Sequence, residues 1–192
     1  MDLREEHGTT LIEFTLVAVA FVLLLVGILE FGLAFRDRLT YNNAVSVAAR
    51  VGSRAGTATD SDWLMLQQLE DGLAAAGVDD LQAVWVYKSK SDGTPEPGFV
   101  NFYEFTGVGC GWNPCPNPAD PAYTGTFNWA PTDRSVDSSS LDRLGVRAYF
   151  THIWITDLLP AADAVCTGAG GTAIGTCWNE TGVFRMEPQE FS

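Results

Sequence analysis

Two carboxylates, Glu13 and Glu30, stand inside the most apolar stretch of this 192-residue chain, GTTLIEFTLVAVAFVLLLVGILEFGLAF at residues 8–35. In such a setting a carboxylate can do little except pair its charge. An acidic side chain at mid-bilayer costs about 2.5 to 3.5 kcal/mol to insert, and less near the interface, so it marks a partner or a function. Glu13 has no cation within the apolar run to pair with, and the expected partner is therefore a group on another chain. The competing reading is a carboxylate near a helix N-terminus, answering the macrodipole and facing headgroups. Glu30 lies about 28 Å of helix beyond Leu11, where a place at the far interface accounts for it.

Other residue types offer less. His7 stands before the apolar run and His152 ends an apolar strand pattern, so no Ser-His-Asp arrangement is suggested. The glycines of residues 168–171 lack the lysine and following helix of a phosphate-binding loop. The pairs Asp60/Asp62 and Asp79/Asp80 are read as caps and turns. Cys110, Cys115, Cys166 and Cys177 all follow the apolar run, and an even number there points to disulfides outside the cytosol. Three pairings are open; the local ones, Cys110 with Cys115 and Cys166 with Cys177, are favoured because each pair brackets a Gly/Pro-rich turn. Their spacings fit no common zinc site. No enzyme, cofactor or metal is expected.

The element that must position the carboxylates is a helix. Residues 11–35 would extend about 37 Å, enough to cross a hydrocarbon core about 30 Å thick. The uninterrupted run 14–29 covers only about 24 Å, which puts Glu13, Glu30 or both at the edge of that layer. Tyr41, Ala44, Val45, Ala48 and Gly52 recur at helical spacing beyond it, a small-sided stripe on which a head can sit closely. Arg50 and Arg54 fall on a neighbouring face and, with Glu30, are candidate interface residues whose plainer reading is solvated. Asp60 or Ser61 can cap a second helix bearing Leu66, Leu69, Leu73 and Ala76, with Gly77 as its stop. Alternation over residues 81–88, 144–150 and 182–187 predicts strands. The expected fold is α+β: a long N-terminal helix, one covering helix and a roughly three-stranded antiparallel sheet. The intervening residues 89–142, rich in proline and aromatics, are expected to form a long cross-linked surface lobe making contacts, or else to cover the sheet edge. Residues 157–180 read as a side loop, and Asn179-Glu180-Thr181 matches the N-linked sequon.

Charge separates the two halves. Residues 1–54 carry five basic and six acidic side chains, so minus twelve of the net minus thirteen belongs to the rest. A head this acidic is a poor ligand for nucleic acid or an anionic membrane surface. An ordinary secretory signal fits badly, because the run is too long and ends in Glu30 and Phe31.

The order of GTTLIEF at residues 8–14, GILEFGLAF at 27–35, NNA at 42–44 and ARVGSR at 49–54 resembles the TadE-like pseudopilins of tight-adherence (Flp-type) pilus systems. The resemblance covers roughly residues 8–55. It implies a leader at 1–8, a transmembrane and extension helix at 9–55 and an extracytoplasmic head at 56–192. It further implies cleavage by a prepilin peptidase between Gly8 and Thr9, with Glu13 and Phe14 acting in assembly with other pilins, the Tad machinery and the lipid bilayer. The positive-inside rule would draw Arg36, Arg38, Arg50 and Arg54 to the cytoplasm. The cysteines and the resemblance favour the reverse, with the N-terminus inside and the head outside, in the cytoplasmic membrane or a surface pilus. The alternative is an uncleaved single-pass surface binding protein.

Overall fold

The structure, a computed structural model, describes residues 3–74, 77–125, 127–154, 156 and 176–189, with side chains from Thr10 onward. Helix α1 runs unbroken over Leu3–Ala55, and α2 over Ser61–Leu73. Gly56, with φ +62°, stops α1 in the left-handed region that residues with a side chain avoid, its N–H returning to the Gly52 carbonyl at 3.3 Å. Asp60 occupies the N-cap of α2 without a side-chain capping bond.

The strands are β1 (Leu81–Ser89), β2 (Pro95–Phe105), β3 (Trp112–Asn113), β4 (Arg143–His152) and β5 (Thr176–Arg185). They form one antiparallel sheet in the order β3-β2-β1-β4-β5. The α+β class stands, but the strand count is corrected from about three to five, because β2 and β3 lie inside the stretch read as loop. Pro95, Pro97 and Gly98 open β2, and buried Asn101 interrupts its apolar alternation, so its pattern does not read as a strand. The hairpin between β1 and β2 is local chemistry: the Asp92 carboxylate accepts the Thr94 amide at 2.9 Å, and the Lys90 amide donates to the Thr94 carbonyl at 2.9 Å. At its other end β5 starts at Thr176, six residues before the expected strand, so residues 176–180 are strand rather than side loop. Residues 157–175 lie outside the described residues.

The core is a two-layer sandwich of helices on sheet. Leu66, Leu69 and Leu73 of α2 and the stripe Tyr41, Ala44, Val45, Ala48 and Ala49 of α1 pack on Val84, Val86, Leu144, Val146 and Phe150. The stripe works as its small size demands. A Cβ placed on Gly182 of β5 would lie 3.1 Å from the Val45 carbonyl oxygen and 3.3 Å from the Ala49 Cβ, and one on Gly72 would lie 2.8 Å from the Ala44 Cβ. Tyr41 stacks on Phe150 with ring centroids 3.7 Å apart.

A buried polar knot ties the middle of the chain to this core. Arg134 and Asp62, 0% and 1% exposed at their side chains, form an ion pair. Asp62 also accepts Tyr103 Oη at 2.5 Å and Asn101 Nδ2 at 2.9 Å, Arg134 Nη1 donates to Ser61 Oγ at 2.8 Å, and the guanidinium lies over Trp129. Asp62 is therefore no solvated turn residue. Its environment is low in dielectric, and burial, followed by the Asp62 charge, pushes the Tyr103 hydroxyl well above the ordinary phenol range.

Candidate functional site

Helix α1 changes character along its length. From Glu30 onward one face, with Glu30, Ala34 and Tyr41, is closed by the head, whereas the apolar segment before it is exposed all round: Leu11, Ile12, Phe14, Leu16, Val17, Phe21, Leu24 and Leu29 are each more than half exposed. An apolar stretch with no polar face, which none of the described residues covers, must be solvated by lipid or by other helices. The helix is long and apolar enough to cross a membrane once.

The two carboxylates now separate. Glu30 is 3% exposed, and its Oε1 accepts the Thr156 backbone N–H at 2.5 Å. Beside it Phe31 meets the edge of Trp154 at 5.8 Å. A segment following β4 thus reaches along α1 and closes over Glu30, so this residue faces its own head rather than a lipid headgroup. Glu13 is exposed, as is Phe14 beside it, and among the described residues no ion pair reaches it. Gly8 and Thr9 lie within the helical run of α1, five and four residues before Glu13, the distance of about one helical turn.

The arginines of the extension also face the head. Arg38 Nε donates to Glu180 at 2.6 Å, with Asn42 Nδ2 on the other Glu180 oxygen at 3.0 Å. Arg54 Nε pairs with Glu187 at 3.1 Å, and the Arg50 guanidinium sits 5.7 Å from the Phe184 ring centroid. The strongest of these is the one at Glu180, a carboxylate 10% exposed; the Arg54 pair is open to solvent and contributes little. Sequence spacing puts Arg50 and Arg54 on a face beside the stripe; that this face meets β5 and the residues just past it follows only from the sheet.

His152, at the end of β4, is buried, with Nδ1 3.0 Å from Asp37 Oδ2 and its ring stacked on Trp178. This is a contact between α1 and the sheet, and it agrees with a core role. Asp80 lies close by: burial, then the Asp37 charge, raise its carboxyl above the usual aspartate range. Glu70 of α2 accepts Trp112 Nε1, and burial raises its carboxyl as well.

Cys110 and Cys115 form a disulfide with Cα atoms 5.9 Å apart, which brackets β3 and ties the end of the turn between β2 and β3 to the chain just past β3. Val108 at the tip of that turn is 74% exposed. Cys177 lies in β5; its expected partner Cys166 falls outside the described residues. Asn179 of the sequon also lies in β5, paired with Tyr149 of β4, and is exposed.

Residues 8–50 match the family model described as TadE-like protein. The N-terminal segment is TadE-like. The matched stretch contains both carboxylates, the apolar span and the stripe up to Arg50, and it stops before the head. Comparisons with curated proteins and with solved structures find no match. The likeness therefore bears on the helix that is long and apolar enough to cross a membrane and that carries the head.

Proposed function

We propose that this chain is a minor pilin or pseudopilin of a tight-adherence (Flp-type) pilus, made as a single-pass membrane precursor and assembled through α1. The observation that carries this reading is the asymmetry of the two carboxylates in a TadE-like segment: Glu30 is satisfied inside the chain, while Glu13 is exposed on helix that no described residue covers. Cleavage by a prepilin peptidase between Gly8 and Thr9 creates an ammonium at Thr9. The Glu13 carboxylate of one subunit then meets the ammonium of a neighbour, which relieves the cost of a charge in lipid and sets the axial register of the bundle.

The head lies outside the cytosol in this reading. Its disulfide supports that side. So do the contacts of Arg38 with Glu180 and of Arg50 with Phe184, both in β5, and of Arg54 with Glu187 just past it, which engage these cations with the acidic head. The partners are the prepilin peptidase, other pilins or pseudopilins, the Tad assembly machinery and the bilayer, with the cross-linked turn around Val108 as a contact surface. The role is structural; the reading asks no chemistry of the head.

Mass spectrometry of the mature N-terminus, in cells with and without the peptidase, tests it. A chain beginning at Thr9 only when the peptidase is present is expected. Retention of Met1 or Asp2 in both would replace this reading with an uncleaved surface anchor.

A further inference from the structure

The exposed apolar surface of the span does not stop where the head begins. Ile28, Phe31 and Phe35 follow one face of α1 and are each about 60% exposed (61%, 61% and 63%), and Phe31 touches Trp154 of the segment that closes over Glu30. Ile153, next to that tryptophan, is 61% exposed. The apolar face of the helix is thus continued onto the head as a collar.

Depth places this collar. Glu30 is the first residue of the apolar helix that the head buries, and residues 11–29 before it span about 28 Å, close to the thickness of a hydrocarbon core of about 30 Å. The membrane boundary on the head side therefore falls at Glu30. The Thr156 amide supplies the hydrogen bond that water or a headgroup would otherwise give the carboxylate. Phe35 stands about one and a half turns further out, roughly 7.5 Å, at the outer edge of the headgroup region that brings total bilayer thickness to about 40–45 Å. Tryptophan with apolar neighbours at that level is the composition of a membrane interface, and the Trp154 indole N–H is already satisfied by Thr176 Oγ1 at 3.1 Å.

We propose that Ile153 and Trp154, with Phe31 and Phe35, form an interfacial anchor that seats the head directly on the lipid surface. The head then does not swing on α1 above the membrane; one surface of it lies in the headgroup layer. This rests on the membrane-spanning reading of α1, and the test separates the two.

Full-length protein carrying a single environment-sensitive fluorophore at Ile153→Cys, Leu24→Cys or Ser138→Cys is reconstituted at low density into phosphatidylcholine vesicles. Quenching is measured with lipids bearing a nitroxide shallow or deep in the acyl chain. The Ile153 site is expected to be quenched at least about twofold more by the shallow than by the deep label, as for groups about 5–10 Å into the headgroup and acyl boundary. Leu24 should show the reverse preference and Ser138, exposed on the head, little quenching. An Ile153 signal no greater than that of Ser138, with Leu24 still deep, overturns the anchor and leaves the span standing. Loss of deep quenching at Leu24 overturns the span itself. Shielding of Ile153 that disappears on dilution of protein in lipid assigns the collar to a second copy and also overturns the proposal.

Discussion

The Glu30 carboxylate accepts the Thr156 backbone amide at 2.5 Å, while Glu13, about 26 Å along the same helix, faces outward. Removing each side chain should therefore fail differently. Glu13→Ala should leave the melting temperature of the detergent-solubilised chain unchanged within error and strongly reduce incorporation into filaments. Glu30→Ala removes the charged acceptor of the half-buried Thr156 amide and should destabilise by about 1–3 kcal/mol. Differential scanning fluorimetry beside a pilus-shearing assay reads both; normal filaments from the Glu13 variant would remove the assembly role.

Gly182 marks a close approach of β5 to α1. Its missing side chain lets the sheet lie against the Val45, Ser46 and Ala49 backbone and methyl, and a branched side chain has nowhere to go. Gly182→Val should cost about 1–3 kcal/mol through overpacking, seen as a lower midpoint of denaturant unfolding. An unchanged midpoint would mean that the strand and helix are not in contact.

Much of this frame was legible beforehand. The small stripe from Tyr41 to Gly52 keeps helical period, and small residues at that spacing have no purpose unless another backbone comes close; β1 and β4 alternate because one face of each lies on the helices. What was not legible has two causes. The fate of Glu30 depends on Thr156, 126 residues away, and that of Asp62 on Arg134, 72 residues away, so no local pattern joins them. Strand β2 was hidden because Asn101 is inward-facing and polar: it donates to the Trp129 carbonyl at 2.8 Å and accepts the Trp129 amide at 2.9 Å. A buried asparagine that clamps another backbone looks, in sequence, like a loop residue.

That clamp belongs to the knot around Asp62 and Arg134, and the knot's energetics are testable. Arg134→Met leaves the Asp62 carboxylate buried with only Tyr103 and Asn101 to solvate it, and should cost about 3–5 kcal/mol. Asp62→Asn should cost a similar amount by stranding the guanidinium. The double variant should be destabilised by clearly less than the sum of the two, because no unpaired charge is left. Additive losses in a double-mutant unfolding cycle would show that the two charges do not depend on each other.

Asp80 gives a prediction in pH. Its folded-state pKa is raised, first by burial and then by Asp37, so the protonated form suits the fold better than the charged one. A raised carboxyl contributes stability that is fully present below its unfolded pKa of about 3.9 and is lost as pH rises through the folded value. Near neutral pH the charged Asp80 therefore weighs against the fold, and Asp80→Asn should raise the melting temperature there. The gain should shrink as pH falls through the folded value and vanish below about pH 3.9, where the wild-type residue is itself neutral in both states. Melting temperatures of the two proteins measured across that range check the sign: a gain that grows toward acid would mean that the carboxylate is stabilised, not penalised, at the junction of α1 and the sheet.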